Sequence, residues 1–291
     1  MTKDLADTIL TDVYLRQLLE LVSCASRAIL THYHSEAAVE YEDKTDSTPL
    51  TQADLLAHAI ICQGLRALFP DIPVLSEESD VNVKKARREW REYWLVDPLD
   101  GTREFLNRTG EFTINIALII DHRPVIGFIA APCSNTVWFG GLHHGAYKLA
   151  LDGQLETRRS IACRPLCADM GVTLLSAARH RNKYLQATLD YIKGVTSDLR
   201  RLDSGSALKF CQLAEGIGDL YPRFSPCCEW DTGAGQALVE GAGGAVLSLA
   251  GEPLGYNLHS SLMSPHFVAF ADPEAELWLG LRRALQAINS A

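Results

Sequence analysis

The 291-residue chain has no apolar run of about 18 residues, the length that a membrane-spanning helix needs. Its first ten residues, MTKDLADTIL, carry acids and no long apolar core, so they do not read as a secretory signal. Both absences point to the cytoplasm, with peripheral contact at the inner membrane left open. The eight cysteines form no CxxC pair. Cys163 and Cys167 are four apart, Cys227 and Cys228 are adjacent, and neither pair comes with histidines in zinc-finger order. Neither a disulfide framework nor structural zinc is expected. Positive charge is also short: 27 Lys and Arg face 36 Asp and Glu, a net charge of -9. A nucleic-acid binder needs a basic stripe. The single basic cluster, KKARREW at 84–90, is short and reads as a solvated helix face. There is no G-x-S-x-G elbow, no P-loop and no G-x-G-x-x-G followed by a suitable acid. GAGG at 241–244 reads as a helix stop.

What is present alternates between helical and strand periods. Residues 4–34 carry one apolar stripe through Leu15, Leu18, Leu19, Val22, Ala25 and Ile29, which predicts a packing helix. Thr51 reads as the N-cap of a helix over 52–69, with Asp54 in its first turn. There a carboxylate is favoured by the helix dipole alone. Residues 72–75 predict a short buried strand ending in Ser76-Glu77-Glu78-Ser79, and 82–90 a helix. From 111 to 150 four short runs separated by turn residues predict an antiparallel meander. Beyond Arg164-Pro165 strands and helices alternate. That pattern implies a second lobe of α/β type, so the chain divides into lobes 1–164 and 165–291. The last segment, DPEAELWLGLRRALQAI, predicts an amphipathic helix that covers apolar surface or joins a dimer.

The chemistry concentrates in WLVDPLDGTREF, residues 94–105. Trp94-Leu95-Val96 reads as the end of a buried strand that delivers Asp97 and Asp100 onto a turn set by Pro98 and Gly101. Two acids three apart beside the hydroxyl of Thr102 begin a site for hard divalent cations. Phosphatases with an aspartyl nucleophile carry D-x-D-G-T. Here Pro98 holds the nucleophile position, so spacing disfavours that covalent route. A second acidic stretch, Glu229-Trp230-Asp231-Thr232, opens a helix backed by Gly233, Ala234 and Gly235. Asp231 is either a capping acid or a further ligand on a helix that can approach closely. Asp203-Ser204-Gly205-Ser206 followed by Lys209 makes a plausible anion site.

Together, WLVDPLDGTREF, the Ser-Glu-Glu-Ser before it and EWDTGAGQALVEGAGG resemble the inositol monophosphatase superfamily, over roughly residues 12 to 270. KTDSTPLTQAD (44–54), PVLSEES, SALKFCQLAEG and LYPRF are similar to its bacterial bisphosphate-nucleotidase branch. The resemblance implies a two-lobed αβαβα sandwich of mixed α/β (α+β) class and a magnesium-dependent, lithium-sensitive phosphatase. By the same resemblance, Glu77, Asp97 and the carbonyl of Leu99 hold one Mg2+, and Asp97, Asp100 and Asp231 a second. Glu77 reaches a third ion through water. Thr102, paired with Asp54, activates the water, and the N–H groups of Gly101 and Thr102 receive the scissile phosphate.

Ser206, Lys209, Arg223 and His180 are the substrate-side residues that the resemblance implies, alongside Asp231. The Ala177-Ala178-Arg179-His180 segment keeps only the histidine of the family's S-R-S-H. WDTGAG also replaces the commoner WDTAAG; glycine at 233 is expected to loosen its helix by about 0.5–1 kcal/mol. The implied substrate is a 3'(2'),5'-bisphosphate nucleotide, converted to AMP and phosphate, with its sulfated precursor as a further substrate. An inositol- or sugar-phosphate phosphatase is the first alternative, and a non-catalytic nucleotide or metal sensor the second. The expected partner is therefore a small molecule and not nucleic acid, bound by a monomer or homodimer.

Overall fold

A computed structural model describes residues 2–35, 41–43, 49–166, 171–176, 182–196 and 198–290. His180 and residues 44–48 of the nucleotidase-like stretch lie outside them. The predicted first helix is two: α1 (Thr2–Ile9) and α2 (Asp12–Tyr33), with the break at residues 10–11. A ribbon of β1 (Tyr41–Asp43) and β2 (Pro49–Thr51) leads into α3 (Gln52–Leu68). Thr51 and Asp54 close a capping box there, so α3 begins where the residue types place it. Next come β3 (Val74–Ser76), α4 (Val81–Ala86), β4 (Glu92–Asp100) and α5 (Thr102–Leu106). The predicted meander follows as β5 (Thr113–Ile120), β6 (Arg123–Ala131), β7 (Thr136–Gly141) and β8 (Gly145–Ala150), extended by β9 (Arg159–Ile161). These strands form a seven-stranded sheet in the order β3-β4-β5-β6-β7-β8-β9, in which β3 runs parallel to β4 and the rest pair antiparallel.

The second half supplies β10 (Val172–Ser176), α6 (Lys183–Val195), β11 (Leu199–Asp203), α7 (Leu208–Ala214), β12 (Leu220–Arg223) and α8 (Glu229–Gly241). It ends with β13 (Ala245–Ser248), β14 (Phe267–Phe270) and α9 (Glu276–Ser290). Its sheet, ordered β11-β10-β12-β14-β13, is parallel on one side and antiparallel on the other.

Three apolar clusters define the layers. In the first, Leu18, Val22 and Ile29 of α2 and Ile61 and Leu65 of α3 meet Trp94, Val96, Ile114 and Ile116 of the large sheet. The opposite face of that sheet, through Leu95, Ala117 and Ile129, meets Phe210 of α7, Ala234 and Leu238 of α8, and the inner face of the small sheet. The outer face of the small sheet meets α6 and α9 through Leu185, Ile192, Trp278 and Leu281. The result is helix, sheet, helix, sheet, helix. Both faces of β5 are therefore buried, and its eight residues read as a continuous apolar run with Thr and Asn set into it. α9 covers apolar surface: Trp278 and Leu281 are fully buried. Among the described residues, no helix is long and apolar enough to cross a membrane.

The middle helix layer needs close backbone approach. A β-carbon on Gly127 of β6 would sit 2.3 Å from the carbonyl oxygen of Ala234, and one on Gly235 would sit 2.2 Å from the ring of Phe210. The small residues of α8 thus let it lie against the large sheet. Gly233 belongs to this packing too, since an added β-carbon would press Leu95 and Ala117 at 3.2 and 3.3 Å. Its glycine is a fit to the sheet rather than a simple loosening.

Candidate active site

β4 pairs regularly with β5 as far as Asp97 opposite Asn115, and the next pair is Asp100 opposite Thr113. Between those pairs β4 spends one residue more than β5, which is a bulge. Pro98 has no N–H to give to a ladder, so the irregularity falls there. On a regular strand, residues three apart point to opposite faces. The extra residue cancels that alternation and sends Asp97 and Asp100 into one cleft. The strand therefore does not stop at Val96 but carries the acids itself. Asp231, in the first turn of α8, joins them: one oxygen from each of the three carboxylates lies within 4.8 Å of the others. Parallel pairing of Ser76 with Val96 sets Glu77 beside Asp97, and the N–H of Glu77 donates to Val96 O at 2.9 Å. Glu77 and Leu99 line the same cleft.

Asp97 is 1% exposed, and its Oδ1 accepts the N–H of Leu99 at 3.1 Å. Burial foremost, then the negative charge of Glu77, Asp100, Asp231 and Asp54, pushes its carboxyl well above the usual carboxylate range. Burial, then Asp100 and Glu77, pushes Asp231 up to about 7, against the opposing pull of the Cys228 N–H and Arg223. Crowded, buried oxygen donors of one sign are costly by themselves. They fit a hard divalent cation, which takes carboxylate and carbonyl oxygens without histidine or cysteine. The seven described cysteines are free and take no part in this cluster.

Thr102 opens α5 directly after Gly101, whose φ of 90° is left-handed and suits glycine. The Thr102 hydroxyl lies 3.3 Å from Asp54 Oδ1 and 3.4 Å from the Leu99 carbonyl, as donor to either. Asp54 is 2% exposed, and its Oδ2 accepts from the N–H and hydroxyl of Thr51 at 2.8 and 2.5 Å. Asp54 thus caps α3 with one oxygen and faces the Thr102 hydroxyl with the other.

From the other side come Ser206, Lys209 and Arg223. Ser206 Oγ donates to Asp100 Oδ2 at 2.7 Å. Lys209 is 1% exposed, and its ammonium donates to Ser204 O and Ser206 O at 2.8 and 2.7 Å. Burial lowers its pKa to about 8. Burial works against the charge of Arg223, yet Tyr221, Cys227 and Asp231 hold its pKa above the ordinary value. Its guanidinium donates to Pro226 O at 3.2 Å. All three residues line the cleft, which has a volume of about 900 Å³ and the size for a small organic ligand. Its walls carry seven carboxylates against three basic side chains.

Four contributors escape sequence reading. Thr113 and Asn115 of β5 are buried beside the bulge, and Asn115 Nδ2 donates to Asp100 Oδ2 at 3.3 Å. Their signal was polar residues two apart inside an apolar strand. The basic cluster at 84–90 is not merely solvated. Lys84 Nζ donates to Glu77 O at 2.6 Å and lies over the Trp230 ring. Arg87 is 1% exposed and donates to Asn257 Oδ1 and to the carbonyls of His259 and Ser260. Lys85 and Arg88 are the exposed members.

Layered fold and acid-lined cleft together define a hydrolase of the phosphatase class, as comparison with known proteins bears out. Residues 11–284 match the family model described as the inositol monophosphatase family, and the chain belongs to that family. It is 40% identical over 253 residues to the 3'(2'),5'-bisphosphate nucleotidase CysQ of Salmonella typhimurium, across 87% of this chain and 98% of the relative. The enzyme of the same name from Buchnera aphidicola is 38% identical over 259 residues, 88% of this chain and 93% of the relative. Among solved structures, CysQ from Bacteroides thetaiotaomicron, a bacterial member of the inositol monophosphatase family, superposes with a TM-score of 0.75 at 33% identity. That match covers 90% of this chain and 98% of the other.

Proposed function

We propose that the protein is a magnesium-dependent phosphomonoesterase that removes the 3'-phosphate from adenosine 3',5'-bisphosphate, giving AMP and phosphate. The observation that carries this reading is the crowded carboxylate cluster, with Asp97 buried, next to a hydroxyl–carboxylate pair. Two or three Mg2+ would be held by Glu77, Asp97, the Leu99 carbonyl, Asp100 and Asp231. When bound, such cations neutralise the substrate phosphate and lower the pKa of an attacking water.

The remaining work falls to the chain's own groups. Thr102 Oγ1 has lone pairs to accept a proton from water while its own proton faces Asp54 Oδ1. That is the geometry of a general-base relay, and such bonds are commonly long before substrate arrives. Thr51 fixes the other oxygen of Asp54, so the relay has one orientation. The N–H groups of Gly101 and Thr102 stand at the opening turn of α5, where helix geometry gives them no intrahelical acceptor. In this reading they receive phosphate oxygens. Arg223 and the loop clamped by Lys209 form the opposite wall, toward the nucleotide's second phosphate.

The choice of nucleotide over inositol phosphate is supported by the named activity of relatives matched along almost their whole length. The test is phosphate release with Mg2+ from adenosine 3',5'-bisphosphate and from inositol 1-phosphate. The expected result is a higher kcat/KM on the nucleotide. A clear preference for inositol 1-phosphate would overturn the substrate assignment, and no release from either would overturn the enzyme.

A further inference from the structure

Ser206 has a conformation that serine does not ordinarily take. Its φ is 50°, in the left-handed region, where a β-carbon is strained. A strained backbone persists only where its surroundings over-determine it. Here three contacts do so. The buried Lys209 ammonium grips the carbonyls on either side of Gly205. The N–H of Gly205 donates to Glu111 Oε2 at 2.9 Å. Gly205 itself has no room for a side chain, since a β-carbon would lie 2.8 Å from Glu104 Cγ and from Glu111 O. The second-half loop is thus pressed onto α5 and the turn that follows it.

The hydroxyl so presented joins a polar cluster on Asp100, in which the single Thr113 proton goes either to Ser206 Oγ or to Asn115 Oδ1. Ser206 Oγ donates to Asp100 Oδ2 at 2.7 Å and lies 2.5 Å from Thr113 Oγ1. Thr113 Oγ1 lies 2.9 Å from Asn115 Oδ1, and Asn115 Nδ2 returns to Asp100 Oδ2 at 3.3 Å. Thr113 and Asn115 are 0% and 1% exposed. The cluster therefore sits on buried strand, and Ser206 is its one member from the second half. Two donors on Oδ2 leave Oδ1 of Asp100 as the oxygen to face a cation.

We propose that Ser206 is a positioning residue: its strained, Lys209-clamped backbone holds a hydroxyl against Asp100 and fixes the rotamer in which that carboxylate meets the metal. The proposal rests on Asp100 being a metal ligand. It predicts that the 203–209 loop tunes metal affinity through one hydroxyl, in addition to the carboxylate that Asp231 brings from α8. Outer groups that orient a ligand typically change metal affinity by about 10–100-fold when removed.

The experiment uses the full chain and two readouts: Mn2+ binding without substrate, followed by electron paramagnetic resonance, and the Mg2+ dependence of turnover. Ser206→Ala is expected to weaken Mn2+ binding, measured without substrate, and to raise the half-saturating Mg2+ about tenfold. Ser206→Gly, which also releases the strain, is expected to lose the same affinity while melting at a higher temperature. Thr113→Val is expected to show a smaller loss of the same kind. If Ser206→Ala keeps wild-type Mn2+ binding, or raises only substrate KM, the positioning role is overturned. If the glycine variant binds Mn2+ as tightly as wild type, the hydroxyl is not the agent, which also overturns it. Asp100→Asn separates the two levels. Unchanged Mn2+ binding in that variant refutes the ligand reading itself, whereas lost binding there with an unaffected Ser206→Ala refutes only the proposal.

Discussion

Two irregular segments meet at the cleft, and they handle charge in opposite ways. The bulge at the end of β4 collects Asp97 and Asp100 and adds Asp231 from α8, with burial and mutual repulsion raising proton affinity in Asp97 and Asp231. The loop from Asp203 to Lys209 buries a single ammonium and gives it two carbonyl oxygens. Each segment contains a left-handed residue, Gly101 in one and Ser206 in the other. The first crowds negative charge that a cation or a proton relieves. The second satisfies its charge internally and uses it to hold backbone. Buried charge therefore marks a ligand site where it is left uncompensated, and scaffolding where it is matched.

The sharpest way to break this contrast is to remove a charge from each segment. Asp97→Asn should lower kcat by about 10³-fold or more, since removing a main source of transition-state charge stabilisation costs on that scale. The amide can keep the acceptor for the Leu99 N–H, so the fold should survive. In a chelator at pH 8 the variant should melt above wild type, because one repelling carboxylate is gone. Wild-type turnover, or a lower melting temperature, would count against the cluster as a strained metal site.

Metal removal should expose the same strain as a pH dependence. A carboxyl whose folded pKa is raised keeps a proton that the unfolded chain has released. For Asp231 that window runs from about 4, the unfolded value, to about 7. Within it the folded chain binds more protons, so stability falls as pH rises and is greatest below the window. Chelator-treated protein should thus melt at progressively lower temperature between pH 4.5 and about 7.5, and saturating Mg2+ should flatten that slope. A slope unaltered by Mg2+ would place the ion elsewhere.

Much of this contrast was legible in residue order. Hydrophobic periods gave the central strands of both sheets, because those strands are buried by a helix layer and their composition shows it, whereas the exposed edge strand β9 carries no such period. The DPLDGT segment announced its acids through Pro98 and Gly101, whose backbone requirements are local. The break between α1 and α2 was hidden because the apolar stripe runs on through it. Glu77 came from resemblance, and Asp231 stood open between capping acid and ligand; residue order alone could not bring them to Asp97, since pairing of β3 with β4 and packing of α8 do that. Lys84 and Arg87 misled for the same reason. A cation reads as solvated until the fold shows which carbonyls surround it. Ser206 was legible as a cleft residue, but its bond to Asp100 depends on a left-handed backbone that no residue type signals.

Lys209→Met tests the compensated side, where the sign should reverse. Methionine can follow the lysine stem through the same buried path past Tyr221, but it brings no N–H. The carbonyls of Ser204 and Ser206 then lose donors in a buried setting. Hydrogen bonds to a charged group contribute about 1.5–3 kcal/mol each, so a loss of about 3 kcal/mol for the pair is expected. Denaturant unfolding without metal should show it as a lower midpoint at unchanged slope. The same variant should weaken Mg2+ activation, because the loop that presents Ser206 is no longer held. A Met variant as stable as wild type, yet poor in substrate KM alone, would make Lys209 a phosphate contact rather than a clamp. The two segments would then differ in charge sign only, and not in how they use it.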